Sequence, residues 1–293
     1  MTRIAVLADI HGNMPALEAV IADISKQGVD ETLVGGDLVG RGPEGSAVTQ
    51  RIRHLRWPSI RGNHEEYLLT FRKGEVPADW LEADEWAASR WMANELTDDD
   101  SNFLEALPFS ATSRLEPELR LVHGSPAATN DGIGPWTTKV EMEAHTSSIN
   151  ESLLVCGHTH RPLDRQLPSG RIVNVGSVGL PFNGDRCAQY AIFDWRANRL
   201  EVEFRQVDYK LEKILAIYDS SGFLAAGGAT AQLLRMELEH AQPFLVPFLQ
   251  WASALDLAPK SSNIDQFFDF YDPAESMGSF LGRLQNLATT KKG

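Results

Sequence analysis

The sequence predicts an α/β protein with a parallel sheet at its core. Short apolar runs that contain β-branched residues, such as residues 3–8, have the length and composition of buried parallel strands. Between these runs lie longer segments whose apolar positions recur at helical spacing. Because strands and helices alternate, right-handed crossovers are expected to join successive parallel strands.

The N-terminal part of the chain follows this alternation element by element. Gly28 ends the first predicted helix, and Pro43 lies near the first turn of the second, where proline is favoured. After the strand at residues 3–8, the predicted order is a helix at 14–27, a strand at 31–37, a helix at 43–55 and, within 57–71, a strand, a turn and a helix.

A tryptophan-rich segment at residues 79–107 is also predicted to be helical, with Asp98 as a cap for its second part. Three of the seven tryptophans fall in this segment at near-helical spacing. That spacing favours a packed apolar stripe, with a lid or a dimer surface as the alternative.

Strands return at residues 109–123 and 151–205. The last of them, at 173–181, 187–195 and 200–207, are predicted to form a second sheet with antiparallel hairpins. From Tyr209 onward the chain is predicted to be mostly helical.

The charge balance of the chain limits its partners. The formal net charge is −13 and the sequence pI is about 5.1. This argues against a broad nucleic-acid surface or an anionic membrane surface, because phosphate-backbone affinity needs clustered Lys and Arg. A small phosphorylated substrate remains compatible, since bound divalent ions would make a site locally positive.

Several features predict a cytoplasmic location. The two cysteines, Cys156 and Cys187, are too few for a disulfide framework and lie in apolar runs, which predicts reduced, buried thiols. The N-terminal apolar stretch is too short for a signal peptide. No window approaches the roughly 18 apolar residues of a membrane span.

Five short polar motifs contain five of the eight histidines. Four of the motifs follow predicted strands, and the loops after parallel strands open at one edge of a sheet, where ligands bind. Residues far apart in sequence are therefore expected to meet there. The motifs are Asp9-Ile10-His11, Gly36-Asp37, Gly62-Asn63-His64-Glu65, His123-Gly124 and Gly157-His158-Thr159-His160.

The side chains of these motifs have the chemistry of a metal centre. Carboxylate, imidazole and amide groups without a thiolate suit Mn²⁺, Fe or Zn²⁺ rather than a structural zinc cage. Asp-x-His and His-x-His each place two ligands on the same side of an extended segment. A carboxylate such as Asp37 can bridge two cations and hold them about 3.5–4 Å apart.

Taken in order, DIH, GDLVG, GNHE, a later HG and GHTH resemble the five-block signature of the calcineurin-like metallophosphoesterases, most closely the bacterial phosphodiesterase branch. The resemblance implies a four-layer αββα sandwich of two mixed β-sheets flanked by helices. It covers roughly residues 1–205, which are expected to form the catalytic domain with a helical insertion at about 65–108. Residues 206–293 are expected to form a helical extension packed on that domain.

The resemblance also implies roles for individual residues. His64 matches the histidine that acts as general acid and protonates the leaving oxygen. The alternative is that His64 only orients other residues of the site. Two divalent ions are implied, with Mn²⁺ favoured and Fe, Zn²⁺ or Ni²⁺ as alternatives, and in-line attack by a hydroxide that bridges them. The implied ligands are Asp9, His11 and His160 for the first ion, Asn63, His123 and His158 for the second, and Asp37 as the bridge, which also makes Asp37 catalytic.

One block departs from the related GDxVDRG block of the protein Ser/Thr phosphatases. Gly40 stands where the second Asp of that block orients the catalytic His, so another group, with Glu65 as the candidate, is expected to hold His64. Arg41 matches the phosphate-binding Arg of the block, with a plain surface Arg as an equal alternative. Asn13 is a candidate substrate donor, although capping of the following helix is favoured.

The expected activity is hydrolysis of nucleotide-like phosphodiesters, including 2′,3′-cyclic nucleotides, with phosphomonoesterase side activity. A dinucleoside polyphosphate hydrolase is the nearest alternative, because GDLVGRG and RGNHE also resemble that group. A catalytically silent, protein-binding scaffold is a third hypothesis, and the presence of all seven implied ligands argues against it. The expected partner is a small phosphorylated substrate, and a homodimer is left open.

Overall fold

The computed structural model describes residues 2–196 and 199–290. Within them the chain forms two mixed β-sheets flanked by helices, which confirms the predicted α/β fold. The strands are β1 (Thr2–Leu7), β2 (Glu31–Val34), β3 (Ser110–Thr112), β4 (Leu119–Val122), β5 (Leu153–Cys156), β6 (Leu163–Leu167), β7 (Gly170–Asn174), β8 (Ala188–Arg196) and β9 (Arg199–Val207). The α-helices are α1 (Met14–Ile24), α2 (Gly45–Leu55), α3 (Asn63–Lys73), α4 (Ala87–Glu95), α5 (Asp98–Glu105), α6 (Lys139–Ser147), α7 (Leu211–Ser220), α8 (Phe223–His240), α9 (Leu245–Ala254), α10 (Ile264–Phe270) and α11 (Met277–Thr290).

The first sheet has the strand order β2-β1-β8-β9. β1 runs parallel to β2 and antiparallel to β8, and β8 forms an antiparallel hairpin with β9. The prediction that residues 187–195 and 200–207 belong to the second sheet is therefore wrong, although their hairpin is present. The alternating pattern identifies such a strand pair but does not tell which of two sheets it joins.

The second sheet has the order β3-β4-β5-β7-β6, with β4, β5 and β7 parallel and an antiparallel strand at each edge. The strand predicted at the start of residues 57–71 is not formed, because only Ser59 makes an isolated bridge, to Val34. Pro58, which has no N–H to donate, precedes this bridge and limits regular pairing there.

The two sheets pack face to face and are covered by helices on their outer faces. Successive side chains of a strand point to opposite faces, so Ile4 and Val6 of β1 lie between the sheets, whereas Ala5 and Leu7 face the helices. Val155 of β5 also lies between the sheets. The outer face of the first sheet packs on α1, α2, α7 and α8, and that of the second sheet on Met142 of α6. The result is a four-layer sandwich.

The tryptophans of residues 79–107 pack inward. The rings of Trp80 and Trp86 stack with their centroids 4.0 Å apart next to Phe71, and Trp91 contacts Phe223 of α8. These side chains are partly buried against the main core, which agrees with the packed-stripe interpretation. The predicted cap is off by one position, since the Thr97 side chain accepts the capping hydrogen bond at the start of α5 and Asp98 is the first helical residue.

The C-terminal helices have a core of their own. Phe248, Trp251 and Phe267 are among its large fully buried side chains, and α8 contributes both to this core and to the main one. Through α8 the C-terminal helices pack against α4. The last three residues of the predicted extension lie outside the described residues. Among the described helices, none has the length and apolar character needed to cross a membrane.

The two cysteines differ in their surroundings. Neither forms a disulfide, and Cys156, at the end of β5, is buried as predicted. Cys187 is only partly buried, and its thiol donates a hydrogen bond to Asp208. The prediction of a buried thiol is wrong for Cys187 because the residue precedes β8 in a surface loop.

Phe193 provides a test of the sandwich core. Its side chain is fully buried between the sheets, whereas Leu115 is 47% exposed. We expect Phe193→Ala to lower the free energy of unfolding by about 3–5 kcal/mol, because a large buried ring is lost and a cavity remains. Leu115→Ala is the control and should change it by less than about 0.5 kcal/mol. Urea titration followed by circular dichroism measures both, and equal losses would contradict this assignment of the core.

Candidate metal centre

The polar motifs converge at the carboxyl ends of strands from both sheets. Asp9 and His11 follow β1, Asp37 follows β2, His123 follows β4, and His158 and His160 follow β5. Asn63 is the first residue of α3. The structure thus brings all seven predicted ligand residues together, because the sheets present the carboxyl ends of their parallel strands at one edge of the sandwich.

One group of ligand atoms consists of Asp9, His11 and His160. The Nε2 atoms of His11 and His160 lie 3.0 Å apart, and Nε2 of His160 lies 3.5 Å from Oδ1 of Asp9. All three side chains are buried. Nε2 of His11 also lies 3.6 Å from Oδ2 of Asp37, which connects this group to the second one.

The second group surrounds Asp37 and Asn63. Nε2 of His123 lies 3.3 Å from Oδ2 of Asp37 and 3.1 Å from Oδ1 of Asn63. Nδ1 of His158 lies 2.9 Å from the same Asn63 oxygen. Asp37 therefore lies between the two groups, in the position that a bridging carboxylate requires.

Backbone carbonyls fix the orientation of three of the imidazoles. Nδ1 of His11 contacts the carbonyl oxygen of Val39 at 3.2 Å, and Nδ1 of His123 contacts that of Gly35 at 2.8 Å. Nδ1 of His160 contacts the carbonyl oxygen of Leu180. A carbonyl at Nδ1 fixes the tautomer, so the lone pair of Nε2 points into the centre, as in metal-binding histidines.

The backbone of the site is held in unfavourable conformations. Left-handed φ costs a non-glycine residue of the order of 1–3 kcal/mol, and such strain is concentrated at functional sites. Six of the nine non-glycine residues with positive φ among those the structure describes belong to the predicted site. They are Asp9 (57°), His11 (52°), Asp37 (53°), Arg41 (61°), His158 (66°) and His160 (57°).

Burial and neighbouring charges shift the pKa values of four residues in the centre. Burial lowers the pKa of His11 well below its usual range and that of His158 to about 4, so both imidazoles are neutral. Burial alone would lower the pKa of His123, but the carboxylates of Asp37 and Asp9 raise it to about 10. Burial alone would raise the pKa of Asp37, yet the imidazoles, led by His123, hold it well below its usual range. Metal ions bind to ionised carboxylates and neutral imidazoles, so His11 and His158 are ready to bind, whereas His123 must lose its proton when a cation binds.

Glu65 does not hold His64, which corrects the expectation from the sequence. Oε1 of Glu65 accepts hydrogen bonds from the backbone N–H groups of Leu38 (2.7 Å) and Val39 (3.2 Å). Oε2 accepts from the N–H groups of Asp37 (2.9 Å) and Gly62 (2.7 Å). This fully buried carboxylate therefore ties the loop after β2 to the start of α3. The sequence contains a signal for it, because a Glu three residues after an N-cap is typical of a capping box.

His64 is held instead by Arg41 and by the backbone. Nε of Arg41 donates to Nε2 of His64 at 3.3 Å, and the His64 N–H donates to Oδ1 of Asp37 at 2.9 Å. Burial lowers the pKa of His64 to about 3, and the Arg41 guanidinium acts in the same direction against the opposing effect of Asp37. The ring packs directly on Gly40, where a Cβ would lie 2.3 Å from Nδ1 of His64. Glycine at position 40 is therefore required by the position of His64.

Asn13 has a structural role. Its Oδ1 accepts a hydrogen bond from the N–H of Ala16 at 3.1 Å and caps α1. Its Nδ2 donates to the carbonyl oxygen of Gly179 at 3.0 Å and to the hydroxyl of Tyr209 at 3.3 Å. Both amide hydrogens thus have partners within the protein, which favours the capping role of Asn13 over a substrate contact.

The residues fit a metal centre by their donor chemistry. The candidate ligand atoms lie within 4.8 Å of one another in the set Asp9, His11 and His160 and in the set Asp37, His123 and His158. The donors are two carboxylates, four imidazoles and one amide oxygen, a set that suits Mn²⁺, Fe or Zn²⁺. The buried carboxylates of Asp9 and Asp37 both lie within 4 Å of Nε2 of His11. Two carboxylates placed so close repel each other, and bound cations would balance their charge.

Comparisons with known proteins identify the family. The calcineurin-like phosphoesterase superfamily domain matches residues 2–198. A metallophosphoesterase structure from Sphaerobacter thermophilus is 29% identical, with a TM-score of 0.63, and covers 77% of this chain and 99% of its own. An uncharacterized protein from Methanocaldococcus jannaschii is 27% identical over 72% of this chain and 90% of its own length. A symmetrical bis(5′-nucleosyl)-tetraphosphatase from Psychromonas ingrahamii is 26% identical over half of each chain.

The chain belongs to the calcineurin-like phosphoesterase superfamily. This confirms the family predicted from the five motifs and makes the protein a hydrolase of phosphate ester bonds. The family is metal-dependent, and the clustered carboxylates and imidazoles described above are the candidate ligands.

Glu65→Gln tests the link between the loop after β2 and α3. Each oxygen of Glu65 accepts two N–H groups, and the amide of Gln would place its own donors against them. We expect a loss of about 2–3 kcal/mol in the free energy of unfolding and roughly 10–100-fold weaker metal binding. Glu66→Gln is the control, since Glu66 forms a partly exposed pair with Arg61 and accepts a hydrogen bond from Thr129 that the oxygen of Gln can also accept. Chemical denaturation and metal titration measure the two effects, and equal behaviour of both variants would contradict this role.

Gly40→Ala tests the packing of His64. The added Cβ would overlap the His64 ring, so we expect at least about tenfold slower hydrolysis of a phosphate ester, with metal content retained. Gly28→Ala is a matched control, because Gly28 has a similar positive φ but no atom within 4 Å of an added Cβ. Gly28→Ala should lower the free energy of unfolding by about 1–2 kcal/mol through its left-handed backbone alone. Gly40→Ala should lower it further, because the overlap with His64 adds to that cost. Equal activities of the two variants would show that Gly40 does not position His64.

Proposed function

We propose that this protein is a dinuclear metal-dependent hydrolase that acts mainly on phosphodiesters, with phosphomonoesters as secondary substrates. The observation that carries the proposal is the convergence of seven ligand-type side chains, from five separate motifs, into two adjoining groups that share Asp37. In this proposal residues 1–205 form the catalytic domain and residues 206–293 a helical extension.

Asp9, His11 and His160 would hold one divalent ion, and Asn63, His123 and His158 the other, with Asp37 shared. When bound, the ions would activate water and neutralise charge on the phosphoryl oxygens. We expect Mn²⁺ to serve best, with Fe, Zn²⁺ or Ni²⁺ as alternatives, because carboxylate and amide oxygens are hard ligands.

His64 and Arg41 carry the remaining chemistry. The ring of His64 lies 5.0 Å from that of His11 at the edge of the centre and is only partly buried, so it can reach a bound substrate. A phosphodiester bound there would bring negative charge next to His64 and favour its protonated form. Protonation at Nε2 ends the hydrogen bond that Nε2 of His64 accepts from Arg41. In the proposal His64 then protonates the leaving oxygen, and the Arg41 guanidinium binds a phosphoryl oxygen.

A cavity beside the centre supports a nucleotide-like substrate. It has a volume of 260 Å³, and its lining includes Asn63, Tyr67 and Phe109. Tyr67 is 38% exposed and lies edge-on to His64, with 5.6 Å between the ring centroids. The aromatic base of a leaving nucleoside would find apolar contacts with Tyr67 and Phe109 on this side of the centre.

A second candidate function is hydrolysis of dinucleoside polyphosphates. The match to the bis(5′-nucleosyl)-tetraphosphatase of Psychromonas ingrahamii favours it, although that match spans only half of each chain. A catalytically silent scaffold is disfavoured, because a protein-binding surface does not require seven inward-pointing ligands. A homodimer remains compatible with either activity.

Metal-dependent turnover tests the proposed function. We expect metal-stripped protein to be inactive on an aryl phosphodiester and to recover activity when Mn²⁺ is added. Asn63→Ala should abolish this recovery, because it removes a ligand from one ion only. His64→Ala should reduce the rate by roughly 10²–10⁴-fold, most strongly for diesters with poor leaving groups.

His54→Ala is the control for His64→Ala, since His54 is exposed on α2. Parallel assays with a dinucleoside tetraphosphate decide between the two candidate substrates. Absence of bound metal after Mn²⁺ addition would contradict the proposal and leave the scaffold hypothesis.

A further inference from the structure

A buried ion pair connects the C-terminal helices to the metal centre. Nη1 of Arg41, in the loop after β2, donates to Oε2 of Glu237, in α8, at 3.0 Å. The Glu237 side chain is 1% exposed and that of Arg41 16%. The pair joins positions 196 residues apart in sequence, so only the folding of the C-terminal helices onto the catalytic sheet brings it together.

Glu237 is held rigidly. Its second oxygen, Oε1, accepts hydrogen bonds from the backbone N–H groups of Phe244 and Leu245, both at 2.8 Å. These N–H groups lie at the start of α9, whose dipole favours a carboxylate. Two backbone donors therefore fix the Glu237 carboxylate through Oε1, and its other oxygen, Oε2, faces Arg41.

Arg41 is constrained on several sides. The hydroxyl of Tyr218, in α7, donates to its backbone carbonyl oxygen at 2.7 Å. Its guanidinium carbon lies 5.7 Å from the centre of the Phe182 ring. Nε donates to His64 and Nη1 to Glu237, whereas Nη2 has no hydrogen-bond partner within residues 2–196 and 199–290. The guanidinium is thus oriented with one nitrogen left for a ligand.

We propose that Glu237 is a positioning residue that orders Arg41 for binding a phosphoryl oxygen, so that the C-terminal extension completes the substrate site. The inference rests on the proposed function, because it takes Arg41 as the phosphate contact. A free Arg side chain loses rotamer entropy when it binds a ligand. Ordering Arg41 in advance reduces that loss when the substrate binds. If Glu237 instead withheld Arg41 from the substrate, its removal would strengthen phosphate binding.

The test compares Glu237→Gln with the wild type, using inorganic phosphate as the probe. Isothermal calorimetry on the Mn²⁺-loaded protein should show about tenfold weaker phosphate binding. This is the effect expected when the charge-assisted contact between Glu237 and Arg41 is lost. For an aryl phosphodiester, KM should rise more than kcat falls. Glu239→Gln is the matched control, because Glu239 lies on the same helix and pairs with Arg235. It should leave both quantities unchanged.

Tyr218→Phe is a second, milder variant that removes only the hydroxyl bound to the Arg41 carbonyl. It should weaken phosphate binding severalfold even if Glu237→Gln folds poorly. In an Arg41→Ala background, Glu237→Gln should cause no further loss of phosphate affinity, because Glu237 acts through Arg41.

Three results would overturn the inference. They are unchanged phosphate affinity in Glu237→Gln despite a lower melting temperature, tighter phosphate binding in that variant, and no phosphate binding by the Mn²⁺-loaded wild type. The calorimetry needs no turnover. If Glu237→Gln weakens phosphate binding as expected but the wild type hydrolyses neither a phosphodiester nor a phosphomonoester, the proposed activity is disproved. The positioning role of Glu237 would still hold.

Discussion

Two carboxylates placed close together away from water are the constraint on which the rest of the site depends. Asp9 and Asp37 are both buried, and such charges are tolerated only where hydrogen bonds and cations compensate them. The backbone N–H of His158 donates to Asp9, and that of His64 donates to Asp37. The neighbouring imidazoles, led by His123, stabilise the ionised form of Asp37. The same arrangement that makes Asp9 and Asp37 tolerable in the fold makes the centre a place for divalent ions.

The centre is rigid because the groups around it are held from outside. Backbone carbonyls orient three of the imidazoles. Glu65 accepts from three N–H groups of the loop after β2 and from that of Gly62, and so ties this loop to the start of α3. Left-handed backbone conformations persist there because these contacts over-determine them. A site ordered in this way needs little rearrangement when substrate binds, which is how positioning contributes to catalysis. The proposed role of Glu237 extends this ordering to the C-terminal helices.

The sequence prediction failed where long-range packing decides the outcome. Alternating apolar residues at 187–207 identified β8 and β9, but both faces of β8 are buried and nothing local tells which sheet it extends. The missing strand near Ser59 shows how a proline can reduce a predicted strand to a single bridge. Glu65 was assigned to the wrong partner because its neighbour in sequence is His64, whereas its neighbours in space are the N–H groups of another loop.

The sequence by itself determined the α/β class, the family and the seven residues that meet at the centre. It could do so because the motifs and the order of strands along the chain are visible in the sequence, and parallel strands must bring their carboxyl ends to one edge. Only the tertiary structure decided that Arg41 rather than Glu65 contacts His64, why position 40 is glycine, and that Glu237 reaches the site. These contacts depend on side-chain directions and on the packing of distant helices. Neither the side-chain directions nor the packing of distant helices can be predicted from the residue pattern of a single segment.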